Sequence, residues 1–457
     1  MTEICLLFPR KNIKGVSGGT APLGVLYLAT FLQSKGISCF VYDYFFGSTA
    51  GLLKQIKKEK VKKIGFSITS PNARISFKLI ETVKRHFPDM LVICGGPHVT
   101  ALPDETIGHK DVDIIVLGEG EEVIYNLIKS YPRISKIQGI WYKKKGKVFK
   151  NESAQPIENL DSLPFPDRDL VKINKYIKKT NAISLITSRG CPYNCIFCQP
   201  TQRRIFGAKV RRRSIDNVIA EMFELKKKYP GDWAYYFQDD TFTFDKNWLE
   251  KFCLRLAKKD CHFKWQCHSR VNLIDYQKIK LMNKAGCEAI YFGVESGSQK
   301  ILNFMRKNIT VKETKRAFNL VHKNNIIAHA FIMIGTPTET KQDLEETRQL
   351  INDIHPDALQ ISITTPMIGS DLHTYCQGKG ISNISCYDDY EYCLNKYPIH
   401  LENFTVEDLE IYRRKIYNTF LKARRKNLKK YFYLFLHTDN KILKVRKVIA
   451  PYLVKMT

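Results

Sequence analysis

The sequence predicts an α/β protein built around two parallel sheets. Three observations carry this. Strand-like and helix-like runs alternate from Ile4 to Leu117, the alternation lapses and resumes from Ala182 to Ile363, and glycine-rich turns follow the strands of both stretches. Regular βα repeats build parallel sheets, because each crossover helix returns the chain to the same sheet end. The expected architecture is an N-terminal doubly wound parallel sheet over residues 1–135 and a connector over 136–181. A partial (β/α)6 barrel follows over 182–385, then a small basic helical region over 386–457.

In the first stretch, Ile4–Phe8, Ser38–Asp43, Lys63–Thr69, Met90–Gly95 and Asp113–Leu117 are short β-rich runs. Helical stretches lie between or after them at Leu23–Ser34, Gly51–Lys58, Ala73–His86 and Glu121–Lys129. Ligands of such sheets bind beyond the carboxyl ends of the strands. The glycines fall there: Gly15, Gly18 and Gly19 after the first strand, Gly95 and Gly96 after the fourth, Gly118 and Gly120 after the fifth. Turns need glycine in any case, so the glycines alone do not define a ligand.

The connector has a hairpin-like pair, Ile137–Lys143 and Lys147–Lys150, and then the run Leu163-Pro164-Phe165-Pro166-Asp167. Six strand candidates follow: Ala182–Thr187, Ala234–Phe237, Phe263–Cys267, Ala289–Phe292, Ala328–Ile334 and Ala358–Ile363. Ser214 is positioned to cap a helix whose Val218, Ile219, Met222 and Leu225 share one face.

Just past the first of these strands stands Ser188-Arg189-Gly190-Cys191-Pro192-Tyr193-Asn194-Cys195-Ile196-Phe197-Cys198. Three thiolates within eight residues hold a metal centre and leave one position open, the mark of a catalytic rather than a structural site. A disulfide is the weaker reading, since the chain has 13 cysteines, an odd number, and no signal-peptide pattern. Zinc needs a fourth ligand or a water, and no histidine lies between Cys198 and Cys261. The remaining cysteines, Cys5, Cys39 and Cys94 among them, are scattered and read as ordinary thiols.

C-x3-C-x2-C after a strand, with Phe197 before the last cysteine, resembles the radical S-adenosylmethionine (radical SAM) superfamily. The resemblance implies that Cys191, Cys195 and Cys198 ligate a [4Fe-4S] cluster whose open iron chelates S-adenosylmethionine (SAM). An electron from the cluster then releases a 5′-deoxyadenosyl radical. It also implies roles for strand-end residues downstream. Asp239 and Asp240 suit the SAM ammonium, with a helix N-cap as the alternative. Arg270 suits the carboxylate, which a guanidinium binds in two places, or else forms a structural ion pair. Glu295 and Ser296 match a motif near the ribose and carboxylate. Gly335, in Ile334-Gly335-Thr336-Pro337, matches the adenine-side loop.

Ahead of the barrel, three runs resemble the cobalamin-binding domain that precedes many radical SAM domains: Ala21-Pro22-Leu23-Gly24 leading into Tyr27-Leu28-Ala29, Gly95-Gly96-Pro97-His98-Val99-Thr100, and Leu117-Gly118-Glu119-Gly120-Glu121. Gly18, Gly19, Gly95, Gly96, His98, Gly118 and Glu119 are the cofactor-side candidates by this resemblance. One departure stands out. Cobalamin carriers with an Asp-x-His-x-x-Gly loop use its histidine as the lower cobalt ligand, whereas Arg10–Thr20 contains neither Asp nor His. The resemblance therefore implies a cobalamin with no histidine below cobalt. A domain that keeps the fold without the cofactor is the alternative. His98 follows Pro97 in a glycine turn and reads as a residue that shapes the loop.

The combined resemblance implies methylation of an unactivated carbon. The deoxyadenosyl radical opens a C–H bond, and methylcobalamin delivers the methyl group. Cyclisation, coupling or rearrangement, including on a lipid, is the alternative within the same layout. A non-catalytic cobalamin or redox sensor is a third. Small-molecule, lipid or peptide substrates all fit, and the electron donor would be a flavodoxin or ferredoxin.

The formal charge is +28, from 73 Lys and Arg against 45 Asp and Glu. Such a balance attracts anionic partners, or simply reflects solvated lysine-rich faces. Residues 411–457 hold 14 Lys or Arg against the single acid Asp439, with Tyr412, Tyr417, Phe420, Tyr431, Phe432, Tyr433 and Phe435 interleaved. A helical cap on the barrel, a membrane-surface contact and a nucleic-acid contact compete there, and no RNA-binding module supports the last. No apolar run approaches about 20 residues, so no transmembrane helix is expected. The expected location is cytoplasmic, with or without contact at the inner membrane face.

Overall fold

The computed structural model describes residues 2–10, 19–198, 205–258, 263–384 and 399–424. The chain forms two compact units, residues 1–225 with 365–400 and residues 226–364 with 401–457.

The first unit holds a seven-stranded sheet of β1 (Ile4–Leu7), β2 (Cys39–Tyr42), β3 (Lys63–Ser67), β4 (Leu91–Gly95), β5 (Ile114–Val116), β6 (Ile140–Lys144) and β7 (Lys147–Lys150). Its order is β2-β1-β3-β4-β5-β6-β7. The first five strands run parallel. They are short apolar runs because both faces are covered. Cys5, Leu7, Phe66, Cys94 and Ile115 pack with Leu52 and Ile56 of helix Thr49–Glu59 and with Phe77, Ile80 and Val83 of helix Ala73–His86. The other face carries Leu6, Ile93 and Val116, beside Val25 and Leu28 of helix Leu23–Ser34 and Ile124 of helix Glu121–Ser130.

The hairpin of the expected connector is part of this sheet. β6 pairs antiparallel with β5, and β7 with β6. An unpaired β5 edge would leave its backbone groups without partners, and the hairpin supplies them. The sequence reading also missed two short helices, Pro97–Ala101 and Pro103–Gly108. Each has proline at its start, where the missing N–H costs nothing.

All six strand candidates of the second stretch form. The first becomes β8 (Ala182–Leu185), followed by the two-residue strand β9 (Ser188–Arg189), which pairs antiparallel with β10 (Arg211–Arg212). The other five lie in the second unit: β11 (Ala234–Phe237), β12 (Trp265–Ser269), β13 (Cys287–Glu295), β14 (Ile327–Ile334) and β15 (Ala358–Ile363). They are parallel and adjacent in chain order. The α/β class is therefore borne out, with a parallel sheet at the N-terminus and a second one after it.

The helix side of the second sheet is aromatic. Phe237 and Trp265 pack edge-on against Phe252 of helix Lys246–Lys258, and Phe292 packs against Phe318 of helix Val311–Lys323. Capping boxes start two of its helices, Thr310 with Glu313 and Thr340 with Asp343. Helix Val406–Arg424 buries Leu409, Ile416 and Phe420 and packs on helix Lys341–Ile354, with Arg413, Arg414 and Lys415 turned to solvent. This amphipathic split is what a capping helix needs. Tyr431, Phe432, Tyr433 and Phe435 lie outside the described residues. No helix among the described residues is long and apolar enough to cross a membrane.

Candidate functional site

The order β2-β1-β3 places a topological switch point between β1 and β3, where ligands of open α/β sheets enter. A cavity of about 240 Å³ lies there. Its walls are apolar, from Leu6, Val25, Leu28, Ile93, Val116 and Phe206, and its rim carries Gly95, Gly96, Gly118 and Gly120. Gly96 has φ +100°, and a Cβ there would meet the Ile68 carbonyl oxygen at 2.9 Å. Gly118, at φ +77°, has open space where a Cβ would stand. Gly19 is buried, and a Cβ on it would meet Phe45 at 2.7 Å. Gly18 lies outside the described residues.

Glu119 lines this cavity and is the centre of a buried ion network. Arg189 Nη1 donates to Glu119 Oε1 at 2.8 Å, and Arg189 Nη2 to Glu121 Oε1 at 2.5 Å. Arg211 Nη1 donates to Glu119 Oε2 at 2.8 Å, and the Ile157 amide donates to the same oxygen at 2.6 Å. Burial raises the Glu119 pKa, but hydrogen bonds and charge from Arg211 and Arg189 outweigh it and hold the carboxyl below its ordinary value. Burial works against the Arg189 cation, and Glu121 and Glu119 more than compensate. Two carboxylates thus face two guanidiniums. That balance is what makes buried charge tolerable.

Arg189 is two residues from Cys191. Between them Gly190 has φ +99°, and a Cβ there would come within 2.3 Å of the Lys209 carbonyl oxygen. The β9–β10 pair holds the start of the cysteine segment, with Arg189 opposite Arg211 in register. Cys191 and Cys195 are half-buried and Cys198 is exposed, whereas the other seven described cysteines are buried, and all ten are free thiols. Burial pushes the Cys39 thiol up to about 11 and those of Cys5 and Cys94 higher, which leaves them inert.

These residues fit the implied groups. The loop offers three accessible thiols, the soft donor set of an iron–sulfur cluster. Among the described residues, no three His, Cys, Asp or Glu side chains converge on a single ion. A cubane needs its ligands apart, one to each iron. The apolar, glycine-edged cavity fits part of a large planar cofactor.

His98 does not line the cavity. It is fully buried, with Nδ1 3.2 Å from Ser70 Oγ and the ring edge-on to Phe77, and burial lowers its pKa to about 4. Its amide donates to the carbonyl of Ile68, the residue after β3, which ties the glycine loop to that strand end.

The second unit holds the remaining candidates. Asp239 is buried and Asp240 keeps an exposed surface. Even so, desolvation by the surrounding atoms and the neighbouring Asp239 push the Asp240 pKa up to about 7. Arg270 and Glu295 are brought together through Lys307. The Arg270 guanidinium donates to the Lys307 carbonyl, and Lys307 Nζ donates to Glu295 Oε1 at 2.6 Å. Glu295 sits at φ +65°, a strained position for a glutamate. Ser296 is buried, with Oγ 3.2 Å from Thr347 Oγ1. Gly335 has φ +78° and donates its amide to Glu339 Oε2 at 2.6 Å. Burial raises the Glu339 pKa to about 8.

Sequence reasoning missed Arg189, Arg211, Glu121 and Glu339, and with them a second buried network, in which Arg168 and Arg213 flank Glu221 at 2.6 and 2.5 Å. The one available signal was the run Arg211-Arg212-Arg213 just after the cysteine segment.

Residues 11–128 match the B12 binding domain family and residues 185–351 the Radical SAM superfamily. The chain is 32% identical over 433 residues to an uncharacterized methyltransferase of Pyrococcus horikoshii, covering 92% of both chains. It is 29% identical over 376 residues to the anaerobic magnesium-protoporphyrin IX monomethyl ester cyclase of Rubrivivax gelatinosus, covering 78% of this chain and 66% of that one. A solved radical SAM methyltransferase from Kitasatospora setae, with cobalamin and a [4Fe-4S] cluster bound, shares the fold at TM-score 0.71 and 16% identity, over 91% of this chain and 85% of that one. The chain therefore belongs to the cobalamin-binding radical SAM enzymes, whose cofactors are a [4Fe-4S] cluster, SAM and cobalamin.

Proposed function

We propose that this enzyme methylates an unactivated carbon, with cobalamin carrying the methyl group. The supporting observation is the Glu119–Arg189 ion pair, which joins the rim of the glycine-edged cavity to the residue that begins the cysteine segment. A buried, doubly anchored link of this kind keeps two cofactor stations in fixed register. When bound, the cluster supplies the electron that cleaves SAM, and cobalamin supplies a transferable methyl group.

In this reading Cys191, Cys195 and Cys198 are the cluster ligands. Gly19, Gly95, Gly96, Gly118 and Glu119 form the corrin-side wall, which His98 braces from behind. Asp239 and Asp240 serve the SAM ammonium, and Glu295 and Ser296 the ribose side. Gly335 serves the adenine side. Arg270 holds the strand-end loop through backbone carbonyls and would also serve the SAM carboxylate. A flavodoxin or ferredoxin would supply electrons, and the net charge of +28 suits an acidic donor. The basic segment beyond Arg424 would touch an anionic membrane surface.

Methyl-labelled SAM tests the reaction class. Label in the product is expected. Label confined to methionine, with unlabelled product formed, would overturn methylation. Ring closure on a small molecule is the second reading, favoured by the 29% identity to the cyclase.

A further inference from the structure

The carboxyl end of β13 is built around a missing side chain. Gly293 stands opposite Phe331 of β14, and the register of the pair shifts before Glu295. A Cβ on Gly293 would stand 2.5 Å from Glu295 Oε1 and 2.6 Å from Lys307 Nζ. Gly293 does not have a left-handed φ, so the backbone alone does not call for glycine there. The space beside its Cα does. The Glu295–Lys307 ion pair fills it, with Nζ donating to Oε1 at 2.6 Å and both side chains buried.

Lys307 follows helix Gln299–Phe304 and lies between Arg306 at φ +50° and Asn308 at φ +51°. Its amide donates to the Leu302 carbonyl at 3.0 Å. Its own carbonyl accepts from Arg270 Nη2, which also reaches the Asn308 carbonyl at 3.5 Å, while Arg270 Nε donates to Asn272 Oδ1 at 3.4 Å. The ammonium of Lys307 thus holds Glu295, and its carbonyl holds Arg270. Glu295, Arg306 and Asn308 all keep left-handed backbones here. Strain of that kind gathers at ligand sites. A buried ion pair is also no better for stability than an apolar pair of the same shape. Stability alone therefore does not account for the arrangement.

Lys307 engages Glu295 Oε1, and Oε2 accepts no hydrogen bond among the described residues. The pair has no net charge, so the remaining acceptor suits a neutral donor such as a hydroxyl. We propose that Lys307 is a positioning residue for SAM. It fixes Glu295 so that Oε2 accepts from a ribose hydroxyl, and it fixes Arg270 through its carbonyl, without touching SAM itself. The inference rests on the assignment of Glu295 to the ribose side above.

The test is equilibrium dialysis of SAM against the anaerobically reconstituted full chain, with thermal melts alongside. Lys307→Met and Glu295→Gln should each weaken SAM binding about tenfold, the scale of one hydrogen bond to a charged group. The double variant should bind no more weakly than Glu295→Gln, because a residue that acts through another adds nothing once that other is removed. Lys307→Met strands a buried carboxylate and lowers the melting point for that reason alone. Gly293→Ala guards against this. It keeps both charges, and its Cβ displaces their flexible ends. It should weaken SAM binding at a nearly unchanged midpoint, with 5′-deoxyadenosine formation recovered at saturating SAM. Unchanged SAM affinity in both Lys307→Met and Gly293→Ala, with Glu295→Gln weakened, would overturn the inference and make the pair structural. Losses that multiply in the double variant would overturn it too, since Lys307 would then touch SAM itself. No effect of Glu295→Gln would remove the ribose-side assignment, and this inference with it. Unlabelled product from methyl-labelled SAM, with the affinities as expected, would sink the methylase reading and leave this one standing.

Discussion

Arg189 donates to Glu119 at 2.8 Å and to Glu121 at 2.5 Å, and all three side chains are buried. A cation two residues from Cys191 is thereby fixed to the wall of the glycine-edged cavity. Removing one member of a buried pair strands the other, at about 3–5 kcal/mol. Arg189→Met should therefore lower the thermal midpoint and also weaken cobalamin retention, read from the corrin absorbance after desalting. Arg189→Lys keeps the charge and loses the fork, so it should fall between the two. Full corrin retention in Arg189→Met would separate the network from the cavity.

The exposure of the cysteines predicts which of them matter. Cys191→Ala, Cys195→Ala and Cys198→Ala should each lose iron and the visible cluster absorbance, and with them 5′-deoxyadenosine formation. Cys253→Ala, at a buried thiol, should keep all three. Iron content per chain after anaerobic reconstitution checks this directly.

Two glycines of the cavity rim should respond differently. Gly96→Ala forces a Cβ to 2.9 Å from the Ile68 carbonyl at φ +100°. Gly118→Ala meets open space at φ +77° and incurs only the left-handed backbone cost, about 1–2 kcal/mol. Gly96→Ala should thus be the more destabilising variant in thermal melts, and the one that loses corrin binding.

Glu339 gives a pH signature. It accepts from the Gly335 and Thr336 amides through Oε2, and burial raises its pKa from 4.5 to about 8. Below about pH 4.5 the carboxyl is protonated in both the folded and the unfolded chain, so its contribution does not vary. From there up to about 8 the unfolded chain ionises first and stability falls. Glu339→Gln, neutral throughout, should flatten the fall of the thermal midpoint across that window. An unchanged slope would rule Glu339 out as its source.

The cysteine spacing and the strand-end glycines were legible because each is local. A C-x3-C-x2-C run, or a glycine after an apolar strand, carries its meaning within a dozen residues. The hairpin at residues 140–150 was visible as a pair, but the edge it would cover was not, since β5 lies some 25 residues upstream. His98 shows the reverse case. Its place in a glycine turn marked the loop, but that its ring packs on Phe77 and does not line the cavity depends on a helix about 20 residues away.

By itself, then, the sequence determined the α/β class, the six strands of the second stretch, and the three thiols with no histidine partner nearby. These follow from periodicity, turn chemistry and ligand count, which short stretches of chain contain. Only the tertiary structure decided that Glu119 answers to Arg189 and Arg211 across 70 and 92 positions, and that His268, Tyr291 and His329 share one row. The physical reason is that ion pairing and register depend on which strands lie side by side, and no local pattern along the chain encodes that distance.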